Sequence, residues 1–141
     1  LAEVPRIVVA APSVLPEGRR PPRHASELAS LPWLALRTYY RTELSLTRTR
    51  DGEQCRIPMS PRMSTDSLYA LRSAALMGMG ACVGSTWLLT EDIAAGRLVQ
   101  LVPEWHASAL PCYLIYPYAR LYPPKLKRFV DAVRSGWADG L

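Results

Sequence analysis

Lysine is nearly absent from this chain of 141 residues: it occurs only at Lys125 and Lys127, so 15 of the 17 basic residues are arginine. The net charge of +5 therefore rests on arginines scattered along the sequence, 10 basic against 6 acidic residues up to Arg62 and 7 against 6 after it. A nucleic-acid footprint needs its cations gathered on one face with helical or aromatic support. Here Arg19, Arg20 and Arg23 lie in a Pro/Gly segment, and Arg48, Arg50 and Arg56 flank a turn. The charge reads as solvated surface rather than as a DNA site.

Other scarcities exclude more. Three cysteines, Cys55, Cys82 and Cys112, are an odd number with no CxxC spacing, which argues against a disulfide framework and a zinc site. Reduced, mostly buried thiols in a cytoplasmic protein are expected instead. The two histidines, His24 and His106, stand far apart in polar contexts. There is no GxSxG elbow, no pair of carboxylates within one motif, and no third glycine after Gly78 and Gly80 to complete a dinucleotide loop. An enzyme is not expected, nor a cofactor or metal. The longest apolar stretches, residues 74–83 and 110–116, fall short of the ~20 residues that span a bilayer, so no membrane partner is expected. The start at Leu1, without a basic n-region or an apolar core, suggests a fragment of a longer protein.

What is present is 49% hydrophobic and 21% charged sequence, enough for a folded core. RIVVAA, residues 6–11, reads as a buried strand closed by Pro12. PEGRRPPR forbids regular structure until a short helical turn near Ser26–Leu28, ended by Pro32, and WLALR resumes as a strand. ELSLTRTRDGEQCRIPM alternates apolar and polar residues on both sides of Asp51-Gly52, the signal of a hairpin. It sets Leu44, Leu46, Cys55 and Ile57 on one face and Arg48, Arg50 and Arg56 towards solvent, with Pro58 and Pro61 marking an edge or exit.

Ser64, Thr65 and Asp66 offer caps for a helix over 66–78, Asp66 reading as a cap rather than as a ligand partner. ACVGS then forms a short strand, and TWLLTEDIAAG a second helix stopped at Gly96. RLVQLV and PCYLIY read as strands on either side of a polar loop with Trp105 and His106, and Pro123-Pro124 starts a last helix with Leu126, Phe129, Val130 and Val133 on one face. Trp33, Trp87, Met77 and Met79 are expected to pack inside. Alternating strands and helices define an α/β domain.

The run AALMGMGACVGSTWL, a helix ending in AAGRLVQLVPEW, and then YLIYPYARLYPPKLKRFVDAV together resemble the effector-binding domain of LysR-type transcriptional regulators. RIVVAAPSVL is similar to that family's crossing strand, and SELASLPWLAL to the segment after it. The resemblance covers nearly the whole chain in order. It implies a partial periplasmic-binding-protein type II-like α/β domain, a mixed sheet flanked by helices. Residues 1–10 would be a hinge-crossing strand, 11–101 the second lobe, and 102–141 the hinge return with the C-terminal strand and helix of the first lobe.

The same resemblance implies effector contacts at Arg37, Thr38 and Tyr39, after the WLAL strand, and at Gly84 and Ser85, where the family commonly has proline at the second position. Arg37 would pair with a carboxylate, Thr38 donate to it, and one of Tyr39 and Tyr40 stack on a ring, which points to an organic or aromatic acid. Each has a plainer alternative. A strand-end arginine such as Arg37 is more often a solvated charge, and Ser85 serves equally well as a helix cap, one hydroxyl being able to do both. Expected partners are a small-molecule effector, a second copy of the chain in a dimer or tetramer, and DNA only through an N-terminal helix-turn-helix outside these residues; the helix from Leu68 to Met77 suits either the pairing of copies or plain core packing. The competing reading is a solute-binding lobe for a transporter.

Overall fold

The computed structural model describes residues 2–17, 20–40 and 42–138, with the side chains of 137 and 138 left aside. Arg19, in the Pro/Gly segment, lies outside the described residues. The elements run β1 (Ala2–Ala10), two short 3-10 turns (Pro12–Val14 and Ala25–Ser30), β2 (Trp33–Leu36), β3 (Glu43–Arg48), β4 (Gln54–Pro58), β5 (Pro61–Thr65), α1 (Leu68–Leu76), β6 (Cys82–Ser85), α2 (Thr86–Ala94), β7 (Val99–Leu101), β8 (Trp105–Cys112) and α3 (Pro124–Ala138). The main sheet has the order β4-β3-β8-β1-β6, with β7 also on β1, and β2 pairs with β5 in parallel in a second, small sheet.

Two compact units divide the chain, one spanning Pro5–Ser108 and the other joining the tip before Pro5 to the segment from Ala109 onward. Within the larger unit β1 is central because its side chains are buried in both directions. Val8 and Ala10 enter a core with Leu44, Leu46, Ile57, Trp33 and Trp105, whereas Val9 and Ala11 enter a second with Leu71, Ala75, Leu89 and Leu98. Successive strand residues point to opposite faces, so an uninterrupted β-branched run suits only a strand covered on both sides. β2 repeats the device: Trp33 and Ala35 go to the first core, Leu34 to the second.

The hairpin forms as expected, with Gly52 at φ +74° in its turn, a conformation that glycine adopts without strain. Arg48 departs from expectation. Its guanidinium carbon lies 5.3 Å over the Trp105 ring while its nitrogens pair with Asp51 and Glu53, a cation held between an aromatic face and the carboxylates of the turn. Pro58 ends β4 and Pro61 opens β5, so the β5 sequence reads only as an edge or exit from the hairpin. It forms a strand because its pairing partner is β2, a parallel neighbour distant in sequence.

Three further expectations are corrected. Ser67, not Asp66, caps α1, its Oγ accepting from the Ala70 amide at 3.3 Å, and the helix runs 68–76. Trp105 and His106 begin strand β8 rather than sit in a loop, drawn into the sheet by antiparallel pairing with β3, and the strand ends at Cys112. Trp87, Met77 and Met79 are exposed; Trp87 meets Tyr69 edge-on at 6.5 Å on the outer side of the helices. Of the cysteines only Cys82 is fully buried, and burial pushes its thiol pKa up to about 12.

In the smaller unit, α3 buries Val130 while Phe129 stays exposed, and Tyr113, Ile115, Tyr118 and Leu121 are exposed in the irregular stretch before it.

Candidate functional site

The end of β6 and the turn after β2 supply the expected site residues, and the structure treats them unequally. Gly84 is buried, and a Cβ there would lie 2.7 Å from Leu89 Cδ1, so its glycine lets α2 close onto the strand. Ser85 is also buried, stands opposite Arg6 in the β1–β6 register, and makes no side-chain cap to α2. Arg37 and Thr38 are exposed. The Arg37 guanidinium lies 3.7 Å from the Asp66 carboxylate, and its amide donates to the Thr65 carbonyl.

An extended strand would point Tyr39 and Tyr40 in opposite directions. The chain instead turns, because β2 ends at Leu36, and the amides of both tyrosines donate to the Leu36 carbonyl at 3.0 Å. The turn sets both rings around one guanidinium, that of Arg6, whose Cζ lies 5.1 Å from each ring centroid. Their mutual centroid distance is 6.4 Å with a tilt of 52°.

Arg6 is the residue that sequence reasoning missed. It is only 6% exposed, and its Nε donates to the Ser108 carbonyl at 2.6 Å while Nη2 donates to the same oxygen. Nη1 is buried with no hydrogen-bond partner among the described residues, as is Tyr40 Oη. Burial pushes the Tyr40 hydroxyl pKa up to about 12, with the Arg6 charge opposing, so Tyr40 is a proton donor at any physiological pH. A cavity of about 230 Å³ is lined by Arg6, Tyr39, Tyr40, Glu43, Ser45 and Ser108. A signal for Arg6 did exist: Val4, Arg6, Val8 and Ala10 share one parity of β1 and are all buried, so the arginine falls on a core-facing position.

The arrangement can bind but offers no obvious chemistry. Donors and aromatic faces converge on one cavity, without a nucleophile–base pair. Among the described residues no group of three or more His, Cys, Asp or Glu side chains could hold a metal, and no helix is long and apolar enough to cross a membrane.

A sheet flanked by helices, with a polar pocket lined from β1, β3, β8 and the turn after β2, makes an α/β domain, and the chain belongs to the LysR substrate-binding domain family, whose model matches residues 1–138. That family comprises transcriptional regulators. The transcriptional regulator PtxR of Pseudomonas aeruginosa is 29% identical over 135 residues, which is 96% of this chain and 43% of PtxR. DmlR of Escherichia coli, another regulator of the helix-turn-helix type, is 26% identical over 95% of this chain and 43% of its own length. Among solved structures, the full-length virulence activator AphB of Vibrio cholerae superposes with a TM-score of 0.77 at 28% identity, over 95% of this chain and 45% of AphB. The regulatory domain of AphB from Vibrio vulnificus gives 0.75 at 26%, over 96% and 66%. The chain thus spans less than half the length of the full-length regulators it matches. These relatives are regulators, and the transporter reading is not favoured.

Proposed function

We propose that this chain is the greater part of the small-molecule-sensing module of a bacterial LysR-type transcription regulator that acts in the cytoplasm and has no catalytic activity of its own. The observation that carries the reading is the family match along residues 1–138, in register with a fold shared with AphB. Residues 11–101 correspond to the second lobe, with residues 1–10 as one crossing and 102–141 as the return to the first lobe. Effector contacts come from Arg37, Thr38 and Tyr39 on the turn after β2 and from Gly84 and Ser85 at the end of β6. The Tyr39 ring over the Arg6 guanidinium, and the position of Ser85 opposite Arg6 in the β1–β6 register, support this placement.

A ligand acts by favouring one of two lobe arrangements, to the extent that it binds them unequally. The response would reach DNA through an N-terminal helix-turn-helix outside these residues, in a dimer or tetramer of the whole polypeptide. The exposed Tyr69–Trp87 pair on α1 and α2 supports self-association through this face. The sequence encoded immediately upstream of Leu1 tests the reading. The earlier part of the first lobe is expected directly before Leu1 and a winged helix-turn-helix about 150 residues before it, and a secretory signal peptide ahead of that lobe would refute the reading.

A further inference from the structure

Arg6 holds a buried positive charge with no carboxylate within ion-pair distance among the described residues. A buried charge is costly unless it is paired or well hydrogen-bonded. The Ser108 carbonyl and two tyrosine faces meet part of that need, the rings through cation–π attraction. They leave Nη1 and Tyr40 Oη, two buried donors belonging to residues that line one cavity, without acceptors among the described residues. Two unmatched donors on side chains in contact suit the two oxygens of a carboxylate, and a guanidinium supplies the charge that a neutral ligand would leave unmatched.

The cavity also restricts the size and charge of the molecule that carries the carboxylate. Its volume of about 230 Å³ is smaller than the 300–1,000 Å³ typical of drug-sized ligand sites, which limits the occupant to a small molecule. Glu43 on the lining, paired with Arg56 at 4.0 Å, adds negative charge that disfavours a dianion such as a phosphate monoester. Tyr39, half exposed, offers a ring face that can shift as a ligand enters.

We propose that the corner formed by Arg6 and Tyr40 binds the carboxylate of a small monocarboxylic acid, with Arg6 Nη1 and Tyr40 Oη donating to its two oxygens. Arg6 then supplies the charge that pairs with the carboxylate, Arg37 contributing to the effector site as an exposed contact on the turn after β2, and the proposal rests on the reading of the chain as an effector-sensing module.

The test is isothermal titration of the full 141-residue chain at pH 7 with acetate and benzoate, beside benzamide as a neutral isostere and phenyl phosphate as a dianion. Saturable binding of a monocarboxylate, at least tenfold tighter than benzamide and phenyl phosphate, is expected. Arg6→Gln should abolish it, but that variant also loses the Ser108 contacts and can fail to fold. Tyr40→Phe keeps the ring beside Arg6 and removes only a hydroxyl that has no hydrogen-bond partner among the described residues. Its thermal midpoint should match or exceed that of the parent chain, while carboxylate affinity falls about tenfold. Equal carboxylate affinity in parent and Tyr40→Phe overturns the proposal. Binding of benzamide without binding of either acid overturns it and leaves the sensor reading standing, whereas the absence of binding by any of these probes or by a wider neutral and cationic panel removes both.

Discussion

Replacing Asp92 by alanine should cost the larger unit more stability than any substitution of a surface charge. Asp92, on α2, is completely buried, and its carboxylate accepts from Arg72 Nε at 2.5 Å and Nη2 at 2.9 Å, and from Arg97 Nε at 2.9 Å and Nη2 at 2.7 Å. It therefore ties α1, through Arg72, to the turn that succeeds α2, through Arg97. Breaking a buried ion pair from one side costs about 3–5 kcal/mol, because the partner keeps its charge without compensation. Here the abandoned guanidinia are 29% and 54% exposed and can recover water, which places the cost near the lower limit, about 3 kcal/mol. For a unit of this size each kcal/mol moves the thermal midpoint by about 4–8 °C, so a fall of about 15 °C is expected in a circular-dichroism melt at pH 7. Hydrogen bonding from Arg72 foremost, and from Arg97, holds the Asp92 carboxyl below the usual carboxylate range against the opposing effect of burial. A depressed folded pKa gives stability that is complete above the unfolded value of about 3.9 and is lost as the pH falls through the lower folded value. The gap between parent and Asp92→Ala should therefore be constant above about pH 5 and narrow below about pH 4. A midpoint loss under about 4 °C at pH 7, or a gap unchanged down to pH 3, would refute the ionic account.

Other substitutions probe single interactions. Gly52→Ala places a side chain at φ +74° with nothing within 4 Å of the new Cβ, so its cost, about 1 kcal/mol by urea denaturation, is a pure backbone effect, and Gly52→Asn should lose less. Gly84→Ala drives a Cβ to 2.7 Å from Leu89 Cδ1 and should cost about 1–3 kcal/mol through overpacking; a neutral result would show that α2 can slide on β6. Trp33→Ala empties a fully buried site and removes the indole donor to the Leu28 carbonyl at 3.0 Å, with an expected loss of about 3–5 kcal/mol in the same assay. Trp87→Ala should change the stability of the unassociated chain by less than about 0.5 kcal/mol, since the ring is half exposed, and a large loss would mean that it packs as core.

Local features are readable from the sequence where the local signal and the tertiary pairing agree. Asp51-Gly52 dictates its own turn, and the alternation on either side places Leu44, Leu46 and Ile57 in the core whatever else the chain does. Features that depend on a distant partner are not. β5 opens on a proline just after the one that ends β4 and becomes a strand only because β2 offers it a parallel edge, and Trp105 joins a strand only through pairing with β3. Hydrophobicity alone would put Trp87 and Met77 inside, but it is a one-way rule that leaves room for exposed apolar residues.

The site divides in the same way. The resemblance to a regulator family marks the turn after β2 and the end of β6 as segments, but says nothing about which cation serves them. The choice falls on Arg6 because of two facts that no local window contains. One is the burial of β1 on both faces, which turns an arginine of the right parity inward. The other is a carbonyl 102 residues away, at Ser108, that accepts two of its donors and so fixes the guanidinium against the tyrosines. Arg37 has the opposite situation, at a strand end in water beside Asp66, where screening makes an ion pair weak. An anion gains far more from a guanidinium already stripped of water than from one that must first be desolvated, so burial rather than proximity in sequence selects the binding cation.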